Sequence, residues 1–475
     1  AGTSPKGLVE ETARLISEAR YNNKILQFLQ DQMMATVKVW GNEPHEELMV
    51  TLRACKRMIG RHARRFDLDK FYTVGDAKWL AERLSQILEE HLNKRSVYYI
   101  VRSSIPEDRV LEDRQWLNDC LRFLFSERTD GEPSKFLGEW QQLKLELQRK
   151  LDNLTFIEEG DYMIPNLEAP IGRTRHNEVH RAQWKGPAIG EGTKSVCPGD
   201  DVAVKKVIPG AYEMPWEKLA QFYSEVVLQA SITHPNVARI LAIGTNGVMV
   251  LDLADGDLAW WCKRQPLGDN TQLFIQVLRQ AASGLRHLHD KRLVHRDIKP
   301  QNFLVFTGTD SEGQRGEESN HLAQSQIPIV QVCDFGLTVG QLEDSRVTTV
   351  TPQPGTEMYR PPELHNGKRH SRKSDVYSFG VVMNELVANM VRRTSSLPYG
   401  GAEGHALMKM QSIGKLAFQI PEECPNTLKD LILKCFDTAP SARPSMQEVE
   451  DVLEGLCKDF GVRQKAQPPA TSLGG

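Results

Sequence analysis

A change of period near Ile164 divides the chain. Upstream, apolar residues recur on one helical face: Leu26, Leu29, Met33, Val37 and Trp40 step by three, four, four and three. That spacing keeps side chains on one side of an α-helix. Leu48, Leu52, Cys55, Ile59 and His62 form a second stripe, Leu80, Leu84 and Leu88 a third, and Leu117, Leu121 and Leu124 a fourth. Trp140, Leu143, Leu147, Leu151 and Leu154 form a fifth. Breakers separate them at Gly41 to Pro44, Phe66 to Gly75, Ser104 to Pro106 and Thr129 to Pro133. Each helix has one apolar face to bury, so residues 1–155 are expected to form an all-α four-helix bundle with a fifth helix following. Downstream the pattern becomes β-branched and short: Val202 to Val207, Val237 to Ile243, Val248 to Leu253 and Phe303 to Phe306, with one good helix from Glu217 to Ser231. Helical patterns return after Asn270. The expectation is a linker at 156–165, an α+β unit with a sheet-rich lobe at 166–255, and a helix-rich lobe at 256–460. A polar insertion at 307–326 and a tail at 461–475 read as disordered by composition.

Composition excludes several function classes. Of 475 residues, 40% are apolar and 25% charged, which is ordinary for a soluble protein. Lys and Arg total 59 against 62 acidic residues, for a net charge of −3. That balance argues against a nucleic-acid partner for the whole surface. No run approaches the roughly 18 to 20 apolar residues of a membrane helix. The opening residues interleave Lys6, Glu10, Glu11 and Arg14 with apolar positions, unlike a secretory signal, and the absence of an initial Met reads as an excised or processed end. The 8 cysteines are scattered without a C-x-x-C pair, as expected in a reducing cytoplasm.

The chemistry concentrates in three ordered segments. The first is His295-Arg296-Asp297-Ile298-Lys299-Pro300-Gln301-Asn302, the second Asp334-Phe335-Gly336, and the third Gly355-Thr356-Glu357-Met358-Tyr359-Arg360-Pro361-Pro362-Glu363. Phosphoryl transfer needs an acceptor for the hydroxyl proton, hard oxygen ligands for Mg²⁺, and cations against developing charge. Asp297 can accept and orient a hydroxyl, Lys299 can neutralise the moving phosphoryl group, and Asn302 and Asp334 can ligate magnesium. Gly190-Glu191-Gly192-Thr193-Lys194-Ser195 is only a faint P-loop likeness, wrongly spaced from Gly186, and reads as a loop joining two strands.

These segments resemble the catalytic loop, magnesium loop and substrate-docking segment of protein kinases, over roughly Ile164 to Phe460. The resemblance implies a bilobal kinase fold and ATP with Mg²⁺ as cofactors. It makes Lys205, in Val202-Ala203-Val204-Lys205, the grip on the α- and β-phosphates, with Glu225 rather than Glu217 as its ion-pair partner. Gly172, Val179, Ala203, Leu251 and Leu304 are then expected around the nucleotide. Asp375 would anchor the catalytic loop, and Arg443 would pair with Glu363. Lys299 and Thr356 resemble the serine/threonine type, and Ser-Phe-Gly-Val-Val-Met-Asn-Glu-Leu after Tyr377 resembles its tyrosine-kinase-like branch. Ser345, Thr348, Thr349 and Thr351 are candidate phosphorylation sites of the activation segment, with Arg296 as their cation.

Two positions depart from the family. The nucleotide-covering loop keeps Gly172 but has Thr174 and Asn177 where glycines are usual, so Arg173, Arg175 or His176 could contact phosphate instead. Gln229 stands where an apolar residue is usual, one turn past Glu225, and suggests a helix that is not permanently locked. Two functions therefore stay open. One is an active serine/threonine kinase acting on proteins in signalling, controlled by its helical region. The other is a nucleotide-sensing scaffold or membrane effector with little catalysis.

Arg53, Lys56, Arg57, Arg61, Arg64 and Arg65 lie on one amphipathic helix. Such a cluster suits either a solvated face or an anionic membrane surface, which would place the protein peripherally at the plasma membrane. A helical bundle before a kinase-like domain is similar in architecture to mixed-lineage-kinase-domain-like proteins, and implies a protein partner for the bundle.

Overall fold

The structure, a computed structural model, describes residues 4–466 apart from 69–70, 99, 126–134, 153, 167–168, 174–176, 191–194, 209–214, 245–246, 266–269, 308–326, 341–355, 366–369 and 393–395. The candidate sites Thr174, Ser345, Thr348, Thr349 and Thr351 lie outside the described residues, as do nearly all of the polar insertion and the end of the tail.

Six helices open the chain: α1 (Pro5–Ser17), α2 (Asn23–Trp40), α3 (Glu46–His62), α4 (Val74–Asn93), α5 (Glu107–Phe125) and α6 (Leu137–Leu151). The five stripes account for α2 to α6, and α1 is additional. Its start is set by Ser4, whose hydroxyl accepts from Gly7 N at 3.2 Å, with Pro5 at the first helical position. Thr73 caps α4 in the same way, accepting from Asp76 N at 3.0 Å. The start of α2 is capped from another helix. Asp113 of α5 accepts from Lys24 N at 3.0 Å and Ile25 N at 2.8 Å, placing a carboxylate at the positive end of the helix dipole. Leu26, Leu29, Leu52, Leu84, Leu88 and Leu117 meet in one buried cluster. Among the described residues no helix is long and apolar enough to cross a membrane.

Helix α3 ends at His62, so Arg64 and Arg65 lie beyond it and the six cations do not share one helix; several of them are paired within the chain. Lys56 pairs with Glu11, Arg61 donates to the Tyr72 hydroxyl, and Arg65 pairs with Glu146 at 2.9 Å.

The sheet-rich lobe begins earlier than the composition suggests. Its strands are β1 (Thr155–Ile157), β2 (Tyr162–Met163), β3 (Gly172–Arg173), β4 (Asn177–Trp184) and β5 (Asp201–Val207), then, after α7 (Pro215–Ala230), β6 (Ile240–Gly244) and β7 (Val248–Asp252). They form one sheet in the order β1-β6-β7-β5-β4-β2, with β3 on β4. Residues 156–165 are therefore not a linker, because β1 pairs with β6 and β2 with β4. The β1–β6 pair is parallel and the others are antiparallel. Ile189 and Val196 form an isolated bridge on either side of the glycine-rich segment, which falls between the paired strands β4 and β5; residues 191–194 lie outside the described residues.

The helix-rich lobe comprises β8 (Gly256–Asp257), α8 (Leu258–Arg264), α9 (Thr271–Asp290), β9 (Leu293–Val294), β10 (Phe303–Phe306), β11 (Ile329–Val332), β12 (Val339–Gly340), α10 (Pro362–His365), α11 (Arg372–Arg392), α12 (Gly404–Ser412), α13 (Asn426–Cys435) and α14 (Met446–Ala466). Helix α11 is buried from Ser374 to Ala388 and forms the axis of the lobe. Gly284 of α9 lets the Asn236 backbone come close: a Cβ there would stand 2.4 Å from the Asn236 carbonyl oxygen. The tail assignment needs one correction, since α14 continues to Ala466, past the boundary expected at 461.

Candidate active site

The catalytic loop is hung from α11. Asp375 accepts from His295 N at 2.9 Å, from Arg296 N at 3.0 Å and from His289 Nε2 at 2.9 Å. Burial acts to raise this carboxyl, but the bonds from His289 and the loop amides outweigh it and hold it below its ordinary range. Two residues of the site have left-handed backbone, one in the anchored loop and one in the following Asp-Phe-Gly segment. Arg296 sits at φ 75 and Asp334 at φ 64, left-handed dihedrals that non-glycine residues adopt at a cost.

Asp297, Lys299 and Thr356 meet at the end of this loop. Lys299 Nζ lies 2.7 Å from Asp297 Oδ2 and 3.1 Å from Thr356 Oγ1. Asp297 Oδ1 accepts from both the amide and the hydroxyl of Thr356 at 2.8 Å. Burial raises the Asp297 carboxyl, and these donors more than reverse it, so the group is ionised and can accept a proton-bearing hydroxyl. Asn302 donates through Nδ2 to the Asp297 carbonyl at 2.7 Å and to Oδ2 at 3.2 Å. Its nitrogen is thereby committed to the loop, which leaves the amide oxygen as the atom suited to a cation.

Lys205 bridges the lobes. Its Nζ is 2.6 Å from Glu225 Oε1 on α7 and 3.3 Å from Asp334 Oδ1. Burial would lower the Lys205 ammonium, but the two carboxylates prevail and raise it. Lys205 in turn draws Asp334 below the usual carboxylate range. Phe335 is buried beside His295, their rings 5.6 Å apart, which fixes the direction of Asp334. The ionised Asp334 and the Asn302 oxygen are a hard-oxygen donor set that fits Mg²⁺.

The strand register locates the other expected residues. Val179 is opposite Lys205, and Ala203 is opposite Leu251, so all four side chains share the face of the sheet that carries the lysine. Leu251 also packs against the cluster beneath α7. Leu304 lies on β10 between Asp257 and Gln331, and Gly172 is opposite Val179. Glu363 and Arg443 form a buried two-pronged pair at 2.8 and 2.7 Å.

One reading of the departures is corrected, and Asn177 is located. Gln229 is buried and donates to the Ala238 carbonyl at 2.9 Å, so it pins the end of α7 instead of loosening it. Asn177 is the first residue of β4, opposite Val207, in strand conformation and not in the left-handed turn a glycine would provide. Arg173 pairs with Glu178 at 2.9 Å across the same hairpin.

Residues 166–453 match the family model described as protein tyrosine and serine/threonine kinase. The chain belongs to the protein kinase family. It is 30% identical over 277 residues to a probable serine/threonine-protein kinase of Dictyostelium discoideum, covering 56% of this chain and 27% of that one. It is 29% identical over 284 residues to the dual specificity protein kinase shkC of the same organism, covering 58% and 50%. It is 26% identical over 349 residues to a mitogen-activated protein kinase kinase kinase of Drosophila melanogaster, covering 70% and 28%. The kinase thus spans half or less of the length of each of these relatives.

One buried carboxyl makes the kinase fold pH-sensitive. Glu385 of α11 accepts from the Tyr359 hydroxyl at 2.7 Å, and burial pushes its carboxyl up to about 7 from an ordinary 4.5. The folded state therefore holds a proton that the unfolded chain releases. The stability this contributes is complete below pH 4.5 and is lost as the pH rises through about 7. A shift of that size is worth about 3 kcal/mol. Glu385→Gln is expected to flatten the fall in denaturation midpoint between pH 5 and 7, measured by urea titration against the unsubstituted chain.

Proposed function

We propose that this kinase transfers the γ-phosphate of ATP to serine and threonine hydroxyls of protein substrates. The observation that carries the reading is Lys299 Nζ joined to both Asp297 and Thr356, at 2.7 and 3.1 Å. An acceptor hydroxyl entering beside Thr356 would meet a carboxylate ready for its proton and an ammonium ready for the transferring charge. Lys205, held by Glu225, is the candidate grip on the α- and β-phosphates. Asn302 and Asp334 would hold Mg²⁺, which when bound neutralises phosphate charge. Transfer of labelled phosphate to the chain itself and to a generic protein acceptor tests this, with Asp297→Asn as the control. Binding of nucleotide without transfer would favour the scaffold reading.

Control by activation-segment phosphorylation belongs to the same proposal. Arg296 is largely buried, and that burial lowers its guanidinium to about 10. Its Nε atom is buried and makes no hydrogen bond among the described residues. Such a cation is stabilised by an arriving phosphate. Replacing Ser345, Thr348, Thr349 and Thr351 together by alanine is expected to remove most activity. Arg296→Ala is expected to make the kinase indifferent to phosphatase treatment. Wild-type turnover in the alanine variant would refute the scheme.

A further inference from the structure

Helix α7, which carries Glu225, is apolar on two sides. Phe222 and Val226 pack with Ile243 and Met249 of the sheet. Trp216, Ala220, Tyr223 and Val227 recur at helical spacing along the other side, and that side faces the N-terminal helices. Ala220 is fully buried among bundle residues, with Trp216 packed beside it. The Tyr223 ring stacks on Phe125 at the end of α5, with centroids 4.8 Å apart and planes within 13°. Leu147 and Leu151 of α6 join the cluster that contains Phe222, Tyr223 and Val226. At the start of α7, Glu217 Oε1 accepts from Val74 N of α4 at 3.2 Å.

The ion pair alone is a poor fastener for this helix. Two charges lose most of their attraction to the cost of leaving water, so a buried Lys–Glu contact comes out near break-even. What decides whether α7 lies against the sheet is the apolar surface that covers it, and that surface belongs to the N-terminal helices. We propose that Phe125, Leu147 and Leu151 are positioning residues for phosphoryl transfer, holding α7 inward so that Glu225 stays on Lys205. The inference rests on the kinase reading above and adds the regulation of its site.

The seam is built to open more easily than a core. A solvent-open cleft of about 260 Å³ lies in it, lined by Leu68, Leu124, Leu143, Leu147 and Val227 together with the charged Arg65, Asp67, Glu146 and Lys150. Water can enter such a cleft, so the apolar side chains along it stay partly wet and join the two sides less firmly than a closed core does. Whatever displaces α6 would therefore release α7, while Gln229 would still hold its far end.

The test uses the full chain with Phe125→Ala and Leu147→Ala combined. Amide hydrogen exchange is followed in α7, with α9 and α11 as references, alongside kcat and KM for ATP. Exchange in α7 is expected to quicken about ten-fold and kcat to fall about ten-fold, with a smaller change in KM, and the reference helices unmoved. Tyr223→Phe keeps the stacked ring and is expected to behave as the unsubstituted chain. Unchanged α7 exchange in the double variant, or equal loosening of α7 and α9, would overturn the inference. Should the double variant not fold, Phe125→Ala alone, which removes one half-buried ring, is read by the same criteria. Exchange does not depend on turnover, so a chain without phosphate transfer would count against the kinase reading while α7 protection still decides this one.

Discussion

Asp334→Asn is expected to lower kcat by at least about 10²- to 10³-fold, the range seen when one charge-stabilising group is removed from an active site, while the melting temperature barely moves. The backbone explains the second half. Asp334 sits at φ 64, and asparagine is the residue besides glycine that best tolerates that conformation. Only the charge facing Lys205 and the candidate metal site is lost. Lys205→Ala should lose comparable turnover but not keep the fold unscathed. Glu225, buried and paired at 2.6 Å, would be left with no cation, and breaking such a pair costs about 3 to 5 kcal/mol. Steady-state kinetics with a thermal melt on each variant separates the two. Equal melts would mean that Glu225 finds another partner, and retained turnover in Asp334→Asn would remove it from the metal set.

Arg443→Ala is expected to be the most destabilising single change in the helix-rich lobe, again by about 3 to 5 kcal/mol. Its guanidinium is fully buried, grips both Glu363 oxygens at 2.8 and 2.7 Å, and donates from Nε to the Asp437 carbonyl at 2.7 Å. Glu363→Ala leaves an unpaired buried cation and should cost a similar amount. The double replacement removes both charges, so its cost is expected to fall well short of the sum. Urea unfolding of the set gives the coupling directly. An additive result would show that the two ends do not act as a pair.

The candidate site could be outlined from the sequence because most of its parts fall in short contiguous segments that carry the residue types the proposed chemistry requires. Asp297, Lys299 and Asn302 lie within one short loop, and the structure joins them to Thr356 and hangs that loop from Asp375. Arg443 and Glu363, far apart in sequence, were reachable only through the family likeness. The misses have a different cause. Helix α1 is hard to read because its buried stripe includes Thr12, whose hydroxyl is satisfied by the Val9 carbonyl, so a polar letter stands at a core position. Strands β1 and β2 are too short for any alternation to show. Gln229 looks like a weakness in one dimension and proves to be a tether, because its partner, the Ala238 carbonyl, comes from the next segment. The outer stripe of α7 was present in the letters Trp216, Ala220, Tyr223 and Val227. A helix apolar on two sides signals a second neighbour, though not which one.

The short strand β1 also bears on how this protein can be cut. It follows α6 almost directly and lies along the border of the sheet beside β6, while β2 covers the opposite border beside β4. A fragment begun at residue 166, where the family match starts, would discard both and leave bare rims of amide and carbonyl groups along β6 and along the part of β4 that β3 does not cover. Bare rims of that kind recruit strands from other molecules. Both fragments bare the outer face of α7, so the strands decide only the difference between them: the one begun at 166 is expected to elute as the larger species on size exclusion, and the one begun at Leu154, which keeps its selvedges, as the smaller.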